Sequence, residues 1–259
     1  MPKPELGEFA ASAGRHCRYA MFDRHGGLSS GPYASLNVGN RLGDLEEVVL
    51  ENRSLVRKNL AVSRLLSAKQ IHGNRIYCLT DFPPCDQEVE GFDALITDLA
   101  DVGLMIQQAD CQAVLLFDPV REVIAAVHCG WRGSVEGLLG RVVAVMAERY
   151  GTVPQDLQAV ISPSLGPCCA EFINYRQELP EEFRQFMVRA NYFDFWAISR
   201  YQLERAGMSG QRVRVAGVCT CCSDDYFSYR RATRKGNGLT GRNCSVIALN
   251  RAISQHPSR

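Results

Sequence analysis

Short apolar runs, each closed within a few residues by Gly, Pro, Asp or Asn, recur through the middle and C-terminal parts of this chain and leave room for little but a strand-built core. The runs at 75–80, 93–97, 103–107, 113–117, 122–128, 158–162, 212–218 and 245–249 predict strands, several of them rich in Val and Ile, whose branched side chains suit a pleated surface. Helical spacing appears around them. A helix over 45–60 is expected behind Asp44, an aspartate cap, with Glu47 as a first-turn carboxylate. Over 134–150, Leu138, Leu139, Val142, Val143 and Met146 recur at helical spacing and predict a core-facing stripe. Two further helices, over 180–190 and 194–206, have interrupted apolar faces. Strands in the middle with helices outside them predict an α+β layered sandwich.

At 259 residues, with no abrupt change of composition, the chain reads as one catalytic domain over 1–259, residues 1–15 being a poorly ordered extension. A formal net charge of +1 gives no global reason to expect nucleic acid or an anionic membrane surface. The group Arg230, Arg231, Arg234, Lys235 and Arg242 reads as a solvated loop or a local anion site. No basic N-terminal segment leads into an apolar stretch, and no run approaches the roughly 20 apolar residues that span a bilayer, so a cytoplasmic location is expected. Eleven cysteines, an odd number in a chain of this length, point to mostly reduced thiols rather than a disulfide scaffold.

Three segments carry metal-capable side chains at likely strand ends beside turn-forming residues: Gln70-Ile71-His72-Gly73, Ala109-Asp110-Cys111 and His128-Cys129-Gly130-Trp131-Arg132-Gly133. Two imidazoles and a thiolate suit Zn²⁺, and three protein ligands are the arrangement of a catalytic zinc. The intervals between them match no short-range ligand code such as H-E-x-x-H, so spacing alone leaves both a metal site and a set of unrelated half-buried polar residues open.

These segments resemble the Q-x-H-G, A-D-C and H-x-G-W-R-G motifs of the family called multicopper polyphenol oxidoreductases or peptidoglycan-editing factors. The resemblance continues, in family order, through Arg24-His25-Gly26-Gly27, Ser35-Leu36-Asn37, Glu51-Asn52-Arg53, Gly166-Pro167-Cys168-Cys169, Phe227-Ser228-Tyr229-Arg230-Arg231 and Thr240-Gly241-Arg242. It implies that His72, Cys111 and His128 ligate zinc, with copper the less favoured metal. It also implies an α/β/β/α sandwich with mixed sheets, similar to the catalytic domain of cytotoxic necrotising factor. The activity it implies is purine nucleoside chemistry: phosphorolysis of adenosine, inosine and methylthioadenosine, and deamination of adenosine, with nucleoside and phosphate as the small-molecule partners. The chain departs from the usual pattern at Gln108, where Thr often stands, at Gln112-Ala113 in place of Leu-Pro, at Cys129 in place of Ala, and at Ala170 in place of an aromatic residue. The departures bear on substrate preference rather than on the ligands.

For deamination, zinc lowers the pKa of a bound water towards 7, and Asp110 is the candidate proton shuttle, with a turn-forming or ligand-supporting role the equal alternative. For phosphorolysis, Arg132 at the start of the 134–150 helix and Arg24 are the candidate anion binders. Ser35, Asn37 and Gln70 are candidate substrate contacts, the plainer reading being that they satisfy turn backbone. Rival functions are a copper polyphenol oxidase, disfavoured because none of the five His forms an H-x-H pair, a cysteine hydrolase with Cys111 as nucleophile and His128 as base, an enzyme editing wrongly aminoacylated cell-wall precursors, and a structural zinc completed by Cys129. Cys168-Cys169 and Cys219-Thr-Cys221-Cys222 suggest a second zinc knuckle or a redox pair, but buried inert thiols are the favoured reading. Oligomeric state is left open.

Overall fold

The structure, a computed structural model, describes residues 2, 4–9 and 17–250. In chain order its strands are β1 Glu5–Phe9, β2 Cys17–Phe22, β3 Arg64–Lys69, β4 Ile76–Cys78, β5 Gln87–Glu90, β6 Ala94–Thr97, β7 Val102–Gln108, β8 Gln112–Asp118, β9 Val123–Cys129, β10 Gln158–Ile161, β11 Met187–Arg189, β12 Tyr192–Phe193, β13 Val213–Val215 and β14 Asn243–Leu249. Its helices are α1 Glu46–Asn59, α2 Trp131–Val135, α3 Leu138–Tyr150, α4 Tyr175–Glu178, α5 Phe195–Arg205 and α6 Tyr229–Lys235. No helix among the described residues is long and apolar enough to cross a membrane.

Two six-stranded mixed sheets carry the fold, in the orders β1-β2-β14-β7-β3-β5 and β13-β10-β8-β9-β6-β4. Every residue of β8, β9 and β14 is buried, which explains why these segments read as continuous apolar runs rather than as alternating ones. One face of each sheet meets the other across a core containing Met21, Leu66, Leu104, Ile106 and Ile247 from the first and Leu115, Phe117, Ile124 and Ala126 from the second. The outer face of the first sheet packs against Val56 of α1, and Leu60 just beyond it. The outer face of the second packs against Leu139, Val142, Val143 and Met146 of α3 and Leu203 of α5. Helix, sheet, sheet and helix thus form four layers, as the α+β reading expects. A smaller cluster of Ala170, Leu179, Phe183, Phe193, Phe195 and Ile198 packs beside them.

Several expectations need correction. Residues 5–9, read as part of a poorly ordered extension, form an edge strand antiparallel to β2, because Phe9 is buried against the inter-sheet core; residues 10–16 lie outside the described residues. The helix expected over 134–150 is two helices, since Gly137 adopts a left-handed φ of 68° and breaks the backbone ladder between α2 and α3. The stretch 180–190 is a 3₁₀ turn, Glu181–Phe186, followed by β11. Its apolar residues suit one tight turn, and pairing with β12 around Asn191 then takes over. Asp194 does cap α5, accepting the Ala197 N–H at 3.0 Å. Asp44 does not cap α1: Leu45 holds that position, and the Asp44 carboxylate accepts instead from Asn37 and from the Leu45 N–H.

Candidate metal centre

The two sheets bring three strand ends to one place. His72 lies in the turn after β3, Cys111 in the turn between β7 and β8, and His128 next to last in β9, where it pairs with Ala113 just past Cys111. Their ligand atoms all fall within 4.8 Å of one another, with the two imidazoles edge to face at 4.8 Å between centroids. Gly130 makes the approach possible: a Cβ there would sit 3.1 Å from Cys111 Sγ and 3.2 Å from His72 Cδ2.

One residue that sequence reasoning passed over organises this arrangement. Asp93, at the entry to β6, is fully buried. Its carboxylate accepts the backbone N–H groups of Ile71, His72 and Gly73 at 3.3, 2.9 and 2.8 Å, and His128 Nδ1 at 2.9 Å. The three amides hold His72 in its left-handed conformation, φ 61°, and the imidazole bond fixes the ring of His128, as carboxylates do behind metal-bound histidines. Burial alone would raise the Asp93 pKa, but the His128 and backbone hydrogen bonds outweigh it and keep the group below the usual range. The only sequence signal was an aspartate at the start of a predicted strand, which turn-forming residues share.

Cys111 and His128 form a charged pair. Burial pushes the thiol up, but the charge and hydrogen bond of His128, with a further bond from His72, bring it down to about 6. Burial pushes His128 down, and the Cys111 thiolate and Asp93 raise it to about 9. Metal binding requires thiolate and neutral imidazole. Below about pH 9 an incoming ion must displace the His128 proton, while above about pH 6 Cys111 has none to give. Zinc affinity is therefore expected to rise about tenfold per pH unit between these limits, this pair releasing one proton per ion. Isothermal titration calorimetry in buffers of differing ionisation enthalpy measures both; a pH-independent affinity over that window contradicts the charge assignment.

Cys129, the fourth ligand of the structural alternative, faces the other way. It is buried against α3, bonds Ser134 Oγ at 3.3 Å, and is raised to about 11 by burial. Three donors therefore converge here, and they open onto a cavity of about 880 Å³.

That cavity sorts the remaining sequence candidates. Gln70, Asp110 and Arg132 line it. Gln70 spends both ends of its amide on the backbone of Gln107, at 2.7 and 2.9 Å, and so extends the β3–β7 ladder. Asp110 accepts from Thr220 Oγ1 at 2.8 Å and from the Arg230 N–H at 2.6 Å, an anchor for α6 rather than a free acid. Arg132 lies over the Trp131 ring, 5.1 Å from its centroid. Arg24, Ser35 and Asn37 are not among the lining residues. Arg24 donates to the Ala34 carbonyl and covers Phe227, Ser35 bonds the Arg24 carbonyl and the Gly27 N–H, and Asn37, fully buried, ties Gly39, Asp44 and Arg242 together. These motif residues shape the loop whose later members, Gly39, Asn40 and Leu42, reach the cavity. Sequence reasoning missed Phe172 and Phe195 on the wall and left Arg242 undivided from its neighbours. Gln108 and Gln112 also line the cavity but are almost wholly buried, Gln108 Nε2 donating to Ser245 Oγ at 2.7 Å and Gln112 Oε1 accepting from Ser199 Oγ.

Comparison with known proteins places this geometry among relatives. The family model described as multi-copper polyphenol oxidoreductase laccase matches residues 18–250. The chain is 33% identical over 245 residues to purine nucleoside phosphorylase YlmD of Geobacillus stearothermophilus, covering 86% of this chain and 87% of that protein. It is 35% identical over 232 residues to purine nucleoside phosphorylase SCO2081 of Streptomyces coelicolor, covering 84% and 91%. Among solved structures, a hypothetical protein YfiH of Bacillus licheniformis superposes with a TM-score of 0.82 at 28% identity, over 94% of this chain and 99% of that one. YlmD of G. stearothermophilus superposes with 0.79 at 29%, over 94% and 98%.

Proposed function

The chain belongs to the multi-copper polyphenol oxidoreductase laccase family, and from that premise we propose that it is a zinc-dependent purine nucleoside phosphorylase that also deaminates adenosine. The observation that carries the reading is the opening of the His72, Cys111 and His128 cluster onto a cavity that offers aromatic rings and arginines together. The donor set of two imidazoles and one thiolate suits zinc. Among the described residues two imidazoles line the cavity, too few for a multinuclear copper cluster. A zinc ion held there by His72, Cys111 and His128 would supply Lewis acidity and lower the pKa of water.

The chain's own residues do the rest. Arg132 and Arg242 line the cavity as cations that hold phosphate against the ribose. Trp131, Phe172 and Phe195 give the purine an apolar, aromatic wall. Gln108, Gln112 and Ala170, three of the positions where the chain departs from its family pattern, all line the cavity, so the choice among adenosine, inosine and methylthioadenosine falls to them.

A second reading has one specific observation on its side. Asp93, His128 and Cys111 form a hydrogen-bonded line with a thiolate at its end, the geometry of a cysteine nucleophile with an oriented base. Chromatographic product analysis after incubation with adenosine separates the two. Adenine formed only with phosphate is expected, with inosine formed without it, both abolished by chelation and restored by zinc. Turnover that survives chelation but not thiol alkylation favours the nucleophile. No metal-dependent product overturns the nucleoside reading in favour of cell-wall precursor editing.

A further inference from the structure

Cys168, Cys169, Cys219 and Cys222, for which buried inert thiols were the favoured reading, are gathered in one place. Cys168 and Cys169 occupy the turn after Gly166-Pro167, and Cys219 and Cys222 the turn after β13; all four are free thiols, and Cys168 and Cys222 are exposed. Their four Sγ atoms lie within 4.8 Å of one another. Cys222 Sγ is 3.6 Å from Cys168 Sγ and 3.5 Å from Cys169 Sγ, which favours neither as a partner. A tetrahedron of sulfurs about 2.3 Å from a central zinc has edges of roughly 3.8 Å, close to both spacings.

We propose that Cys168, Cys169, Cys219 and Cys222 bind a second zinc ion, in a closed four-thiolate site that fixes one wall of the cavity. Cys219 and Cys222 stand in C-x-x-C spacing within a turn closed by the Cys222 and Ser223 N–H groups on the Cys219 carbonyl, at 3.1 and 3.0 Å. The Gly166 N–H donates to Cys219 Sγ at 3.3 Å, the kind of support that orients a thiolate ligand. Zinc with four thiolates carries a net charge of −2, and guanidinium groups surround the two turns. Arg189 donates to the Cys168 carbonyl, Arg230 to that of Cys169, and Arg231 to those of Thr220 and Cys221. Four protein ligands leave no position for a substrate, so the site is structural.

Its position gives it a task. Ala170 and Phe172, just beyond the first cysteine pair, line the cavity, as does Arg230. Thr220, between the second pair, donates to Asp110 beside Cys111. The second zinc would pin both turns that carry this wall, which belongs to neither large sheet.

Metal counting by inductively coupled plasma mass spectrometry, with native mass spectrometry of the same samples, tests this independently of any catalytic reading. The intact protein is expected to hold two zinc ions, Cys111→Ser to retain one, and the double variant Cys169→Ser/Cys222→Ser to retain the other. Cobalt added to zinc-depleted Cys111→Ser should give the intense thiolate charge-transfer absorption of a four-sulfur site. If the double variant fails to fold, the intact protein and Cys111→Ser decide alone. One ion in the intact protein and none in Cys111→Ser overturns the proposal, as does a chain mass lower by two hydrogens that marks a disulfide within the tetrad.

Discussion

Cys111→Ser is expected to keep its fold, lose zinc from the His72 and His128 centre, and lose at least about 10³-fold in kcat for phosphorolysis. The magnitude follows from the several kcal/mol of transition-state stabilisation that a bound metal supplies, about 4 kcal/mol being three decades of rate. Cys111 sits half-buried in a turn, outside the apolar clusters, so exchanging its sulfur for oxygen leaves packing intact while removing the one soft, anionic donor. Circular dichroism and thermal unfolding verify the fold, and metal analysis and product assays read the loss. Full turnover by a variant without zinc at this centre would sink the metal mechanism. The serine variant is a cleaner probe than His128→Ala, which strands the Asp93 carboxylate beneath it.

Asp93→Ala should show the largest stability effect of any change around the site. It removes the acceptor of three backbone N–H groups and the partner of a buried imidazole, and breaking such a buried pair from one side costs about 3–5 kcal/mol. Asp93→Asn keeps an acceptor without the charge, so it should fold better but bind zinc about 10–100-fold more weakly. A purely structural role would stop there. Because Asp93 helps raise His128, the asparagine variant should also take up zinc with its pH dependence ending well below about 9. Denaturant unfolding and chelator competition across pH give both numbers. An unchanged unfolding midpoint for the alanine variant, or an unshifted pH profile for the asparagine variant, would remove Asp93 from this role.

What could be read from the sequence followed from how each segment meets its surroundings. β8, β9 and β14 are buried on both faces and left continuous apolar runs, so their existence was plain. β3 and β5 carry Arg64, Lys69, Gln87 and Glu90 at positions that mask the pattern, and they went unseen. The stripe of α3 was legible, but its start was not, since Leu138 follows a glycine that motif spacing gave no reason to suspect. At the site, His72, Cys111 and His128 stand in motifs and were visible as candidates; Asp93 acts through tertiary hydrogen bonds, for which a single sequence has no periodicity. Arg24, Ser35 and Asn37 show the reverse case, polar residues in a motif whose bonds turn inward to the loop. The tetrad needed two turns, more than forty residues apart, to be seen side by side.

The wall bearing Ala170, Phe172 and Phe195 has consequences for how such a chain can change over generations. Its apolar residues close on one another in a cluster of their own, with Phe183, Phe193 and Ile198, apart from the core between the sheets. Substitutions there are absorbed within a small local unit, while the ends of β3 and β9 and the Asp93 brace stay where they are. If this wall meets substrate, as the proposed function requires, a descendant would trade one substrate for another by remodelling the annex while the metal-capable strand ends stay unchanged.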